Sequence, residues 1–121
     1  MKKCVVIGVT GGIAVYKALD IISALKKKDI DVRVIMTDSA TKFINPITFQ
    51  SLSNNAVAVD TFQEIKVHEI QHISLAQRAD LMLIAPATAN IIGKVANGIA
   101  DDMLSTTIMA CKSKVIFAPA M

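Results

Sequence analysis

The sequence predicts an α/β domain built on a doubly wound, all-parallel sheet. Two patterns predict it. Short apolar runs rich in β-branched residues recur along the chain, such as Cys4–Val9 and Leu81–Ala85. Runs of that length read as strands buried on both faces. Segments of helical periodicity lie between them, and strands that alternate with helices form parallel sheets with helical crossovers.

The elements follow in order. Lys3–Val9 is the first strand. Ile13–Lys28 is a helix with Ala14, Ala18, Ile21, Ile22 and Leu25 on one face and Lys17, Asp20 and Lys27 away from it. Its last turn, Lys26-Lys27-Lys28, places positive charge where the helix dipole favours it. Asp31–Thr37 is the second strand. Asn45 and Pro46 open the next helix as cap and first helical residue. Val57–Val59 is a brief third strand, residues 60–71 carry no readable pattern, and a short helix covers His72–Arg78. Leu81–Ala85 is a buried strand closed by Pro86. A helix from Thr88 to Asn97 ends at Gly98. Asp101 or Asp102 caps another that reaches about Cys111, and Lys114–Ala118 is the last strand. This order, β-α-β-α-β-α-β-α-α-β, predicts a three-layer α/β/α domain of flavodoxin-like (Rossmann-like) type. It is one domain over residues 1–121, with a closing helix expected beyond them.

Composition narrows the function. The chain has 121 residues, 53% of them hydrophobic, enough to fill a single core. No apolar run approaches the length of a membrane span. Met1-Lys2-Lys3 leads directly into the first strand without the pattern of a signal peptide. Cys4 and Cys111, each in an apolar segment, read as reduced thiols of a cytoplasmic protein. A net charge of +3 and 4% aromatic residues without tryptophan give no footing for nucleic acid.

In open α/β sheets, ligands bind beyond the carboxyl ends of the strands. Here those ends are Thr10-Gly11-Gly12-Ile13, Met36-Thr37-Asp38-Ser39, Ala85-Pro86-Ala87-Thr88-Ala89-Asn90 and Ala118-Pro119-Ala120-Met121. All are rich in small or hydroxyl residues. The first is the sharpest signal. Its glycines permit unusual dihedrals and expose backbone N–H groups at a helix N-terminus, which favours an anion, and Thr10 is expected to add a hydroxyl donor. Gly8, Gly11 and Gly12 lack the dinucleotide spacing, and the P-loop lysine is absent, so a monophosphate fits best. A competing signal is His68-Glu69-Ile70-Gln71-His72, which matches the zincin pattern H-E-x-x-H. No further histidine supplies a third ligand, and the α/β context argues against a zinc peptidase.

Taken together, the segments resemble the FMN-dependent cysteine decarboxylases, a family of flavoproteins. The resemblance rests on seven motifs in family order: residues 8–17 (GVTGGIAVYK), 34–40 (VIMTDSA), 72–75 (HISL), Ala79-Asp80, 85–90 (APATAN), 98–105 (GIADDMLS) and 118–121 (APAM). It is strongest to the members that act on phosphopantothenoylcysteine in coenzyme A biosynthesis. It implies that Gly11, Gly12 and Ile13 lie against the FMN phosphate, that Thr37 and Ser39 contact the flavin, and that Thr88, Ala89, Asn90 and Ala120 line the site. His72 matches the family's catalytic histidine. The implied reaction oxidises the substrate thiol to a thioaldehyde, whose C=S group accepts electrons as CO2 departs. The electrons then return, so the flavin carries the difficult step and the protein orients it. A histidine near neutral pKa suits acid–base work there.

The family's site is completed by an Asn directly after Pro-Ala-Met and by a later segment carrying a Cys, both expected beyond Met121. Family members form homotrimers or higher assemblies, and the same is expected here. Two enzyme alternatives share the fold, a peptidyl-cysteine decarboxylase and a flavin prenyltransferase relative. A third is a non-catalytic regulator that binds a protein phosphatase, although such homologues usually carry long acidic extensions.

Overall fold

The computed structural model describes residues 2–59 and 74–120. Five strands, β1 (Cys4–Val9), β2 (Asp31–Met36), β3 (Ala58–Val59), β4 (Leu81–Ala87) and β5 (Lys114–Pro119), form one parallel sheet in the order β3-β2-β1-β4-β5. The helices are α1 (Val15–Lys27), α2 (Asp38–Thr41), α3 (Pro46–Ser53), α4 (described over 74–78), α5 (Ala89–Ala96) and α6 (Met103–Ala110).

Alternation along the strands sorts the core into two layers, one on each face of the sheet. Val5, Ile7 and Val9 of β1 pack with Val15, Ala18 and Ile22 of α1 and with Phe49 of α3. Cys4 and Val6 face the other way, toward Leu104 and Ile108 of α6 and Ile91 of α5. Gly8 shares that second face. A Cβ there would stand 2.4 Å from Leu104 Cδ1 and 3.0 Å from Ile84 Cδ1, so glycine is what lets α6 lie close on the sheet. The predicted doubly wound, three-layer class is therefore the observed one.

Polar ties fix the amino ends of the strands. The Cys4 N–H donates to Asp80 Oδ2 at 2.7 Å, joining β1 to the turn that starts β4. Asn55 donates through Nδ2 to Asp31 Oδ1 at 3.1 Å and to the Val32 carbonyl at 2.7 Å, joining the end of α3 to β2. Both cysteines are free thiols. Burial first, and the Asp31 charge second, push the Cys4 thiol above its ordinary value, so it is an inert core thiol rather than a nucleophile.

Several boundaries differ from the sequence reading. Helix α1 begins at Val15, because residues 11–14 are still turning out of the sheet; Val15 takes the buried place expected of Ala14. Strand β4 continues through Pro86 to Ala87. Proline is tolerated because β1 pairs with β4 only as far as Gly8↔Ile84, and the β4–β5 register shifts between Ile84 and Ala87. Helix α2 is a single turn, an element additional to those the sequence pattern predicts. Among the described residues, no helix is long and apolar enough to cross a membrane.

Candidate functional site

All five strands point the same way, so the loops that leave β1, β2, β4 and β5 share one edge of the sheet. From β1 the chain proceeds to β2 on one side, whereas β4 and β5 lie on the other. The β1 and β4 loops therefore diverge onto opposite faces, and the crevice between them is the switch point where such sheets bind ligands.

Four helices at this sheet have a side-chain cap at their first turn: Thr37 for α2, Asn45 for α3, Thr88 for α5 and Asp102 for α6. Helix α1 has none. Its cap position is Ala14, in helical conformation, with no side chain to accept a hydrogen bond. Among the described residues, no protein group accepts from the N–H groups of Gly11, Gly12 or Ile13. An uncapped helix start with free donors at a switch point is suited to a bound anion.

The two glycines serve different ends. Neither has a positive φ, so the expected unusual dihedrals are not their reason. A Cβ on Gly11 would press against Cβ and the backbone of Ser39, so Gly11 lets the β1 and β2 loops touch. A Cβ on Gly12 would meet nothing within 4 Å. Among the described residues no packing requires glycine there, which leaves room for a ligand to approach the backbone.

The remaining predicted residues lie on loops at the same edge of the sheet. Thr37 accepts from the Ala40 N–H at 3.2 Å, and Thr88 accepts from the Ile91 N–H at 3.4 Å. Each keeps its hydroxyl proton to donate. Ser39 is exposed beside Gly11, while Ala89 and Asn90 are exposed at the first turn of α5. Ala120 is held close by its N–H, which donates to the Ala87 carbonyl at 3.1 Å. Ile13 projects into solvent with 81% of its surface exposed. Thr10 differs from the expectation. Its hydroxyl is buried and donates to the Pro86 carbonyl at 2.5 Å, so that proton is not available to a ligand. His68 and His72, and with them the H-E-x-x-H pattern and the expected catalytic histidine, lie outside the described residues.

A cleft of about 260 Å³ lined by Ala76, Gln77, Ala110, Lys112 and Ser113 lies at the opposite edge of the sheet, where β4 and β5 begin. It shares no residue with the loops above.

Comparison with known proteins agrees with this fold. A family model described as "Flavoprotein" matches residues 1–121. The coenzyme A biosynthesis bifunctional protein CoaBC of Bacillus subtilis is 55% identical over 117 residues, covering 97% of this chain and 29% of that protein. The protein of the same name from Mycolicibacterium smegmatis is 44% identical, covering 99% of this chain and 28% of its own length. The chain thus spans under a third of the curated relatives it matches. Among solved structures, the FMN-dependent cysteine decarboxylase SpaF superposes with a TM-score of 0.86 at 28% identity, over 98% of this chain and 69% of that one. A PPC decarboxylase variant complexed with pantothenoylaminoethenethiol superposes with a TM-score of 0.81 at 27% identity, over 100% of this chain and 68% of that one. Matched by the family model from its first residue to its last, the chain belongs to the flavoprotein family.

Proposed function

We propose that this chain binds FMN at the switch point and decarboxylates 4′-phosphopantothenoylcysteine to 4′-phosphopantetheine, in the cytoplasm, as a homotrimer or larger homo-oligomer. The observation that carries the reading is the uncapped start of α1 beside the open Cβ position of Gly12. Relatives named for coenzyme A biosynthesis, and a structural neighbour that is a PPC decarboxylase, supply the substrate class.

The residues present fit the cofactor. A phosphate monoester is doubly charged, and the N–H groups of Gly11, Gly12 and Ile13, which have no acceptor among the described residues, are donors beside the positive end of α1. Thr37 and Ser39 present hydroxyl groups from the β2 loop. Thr88, Ala89 and Asn90 present a second helix start from the β4 loop, and Ala120 closes the side next to β5. When bound, FMN supplies the two-electron oxidation of the substrate thiol, and the return of those electrons, that make loss of CO2 possible. The protein's part is to bind, orient and exclude water. His72 is assigned the proton transfer that accompanies thiol oxidation.

The proposed assembly has support in surface chemistry. Ile13 just before α1, Tyr16 in its first turn and Ile47 at the start of α3, which packs against α1, are 81%, 59% and 62% exposed. Large exposed apolar side chains suit a buried contact between copies.

Turnover tests the reading. A protein that also carries the Asn and Cys expected beyond Met121, supplied with FMN, is expected to release CO2 from 4′-phosphopantothenoylcysteine with a kcat/KM at least about tenfold above that for a cysteine-terminated peptide. Preference for the peptide would transfer the chain to the peptidyl-cysteine decarboxylases, and no turnover of either would refute the enzyme reading. The His72→Asn variant is expected to keep the flavin and lose turnover. Retained turnover would remove His72 from its role.

A further inference from the structure

Thr10 has the most constrained hydroxyl in the switch-point crevice. It is 2% exposed and sits between two loops that leave the sheet on opposite faces. Its Oγ1 donates to the Pro86 carbonyl at 2.5 Å and accepts from the Thr88 N–H at 3.1 Å. Main-chain pairing of β1 with β4 has already ended at Gly8↔Ile84. Beyond that point Pro86 has no N–H, and its carbonyl is bonded to this hydroxyl. One side chain thus supplies both halves of the rung that the backbone ladder no longer makes.

The consequences run outward. Thr88 is the cap of α5, so fixing its N–H fixes where α5 begins and where Ala89 and Asn90 stand. Thr10 itself immediately precedes Gly11, whose contact with Ser39 ties the β1 loop to the β2 loop. The Ala120 N–H reaches the Ala87 carbonyl, which ties the β5 loop to the same stretch of β4. All four loops at the crevice are therefore coupled, and Thr10 is the side chain that spans its two diverging walls.

We infer that Thr10 is a positioning residue: its hydroxyl clasps the β1 and β4 loops and sets the separation of the two helix starts that receive FMN, without itself donating to the ligand. The inference rests on the FMN reading for its effect on binding, while the clasp itself is a property of the free protein.

Two measurements on wild type, Thr10→Val and Thr10→Ser separate these claims. Amide hydrogen exchange on the FMN-free protein reads the clasp. The Thr88 amide is expected to be protected in wild type, to exchange at least about tenfold faster in Thr10→Val, and to recover in Thr10→Ser, with the Ile84 amide unchanged throughout. FMN titration reads positioning: Kd rises about tenfold in Thr10→Val and stays within about threefold of wild type in Thr10→Ser. Valine matches threonine in shape, so a purely steric role would spare Thr10→Val. An unprotected Thr88 amide in wild type overturns the clasp, whether or not the valine variant folds. Faster exchange with an unchanged Kd overturns the positioning role. Wild type that takes up no FMN overturns the cofactor reading and the positioning role together, and the exchange data still decide the clasp.

Discussion

A Cβ on Gly11 would come within 2.6 Å of Ser39 Cβ and 2.9 Å of its carbonyl carbon, while one on Gly12 has open space. The two alanine variants should therefore part company. Gly11→Ala must push two backbones apart and is expected to lower stability by about 1–3 kcal/mol and weaken FMN binding as well. Gly12→Ala is expected to leave the melting temperature of the FMN-free protein nearly unchanged, a difference within about 0.5 kcal/mol, yet weaken FMN binding tenfold or so. Calorimetry and flavin titration on the pair check this. The sequence marks the paired glycines as a candidate phosphate loop, but not their separate structural reasons. One depends on where Ser39 lies, and the other on what is absent from the space around it. The buried state of the Thr10 hydroxyl was equally hidden, since its partners are 76 and 78 residues away.

Asp31 offers a test at the same scale, away from the site. Burial pushes its carboxyl up, but hydrogen bonds from Asn55 and Arg33 and the charges of Arg33 and Arg78 outweigh that and leave it below the ordinary value. A depressed folded-state pKa means stability that is full above the unfolded value, about 3.9, and is lost as pH falls through the folded one. Denaturant titrations across this acid window should show Asp31→Asn with a shallower loss of stability than wild type. Equal slopes would show that the network around Asp31 does not govern the acid response.

At the scale of elements, caps were the most readable features. Asn45 accepts from the Ile47 N–H at 3.0 Å with Pro46 behind it, as its residue type and position predicted. Of the two aspartates before α6, Asp102 is the cap. Its Oδ1 accepts from the Ser105 N–H at 2.7 Å, and the Ser105 hydroxyl accepts in return from the Asp102 N–H at 3.1 Å. Asp101 instead pairs with Lys94 at 3.0 Å. Asp102→Ala is expected to cost about 1–2 kcal/mol and Asp101→Ala less than about 1 kcal/mol, measured by thermal unfolding. The sequence could not choose between them because the choice depends on which carboxylate faces Ser105. One-turn α2 escaped notice because four residues are too few to display a helical period, though Thr37 marks its start. The extension of β4 past Pro86 escaped for another reason. Proline reads as a strand breaker, and only the pairing shows that the ladder on the β1 side has already ended.

For the whole molecule, the alternation of strand and helix sufficed to predict a doubly wound sheet, and with it the edge where a ligand belongs. Both follow from period and handedness, which are local in sequence. The order β3-β2-β1-β4-β5 does more than frame the site. It places the crevice between β1 and β4, and so sets the uncapped start of α1 opposite the start of α5. Residues 60–73 carry the histidine of the proposed reaction, and there the sequence alone speaks, through the resemblance of residues 72–75 to a family motif. Binding and turnover therefore rest on different parts of the chain, and binding is the claim that the described structure supports most directly.

The visible spectrum of the purified protein, after incubation with FMN and removal of the excess, tests that claim. The protein is expected to be yellow with a flavin band, to hold one flavin per chain, and to release it as FMN on denaturation. A colourless protein that cannot be reconstituted with FMN would contradict the claim.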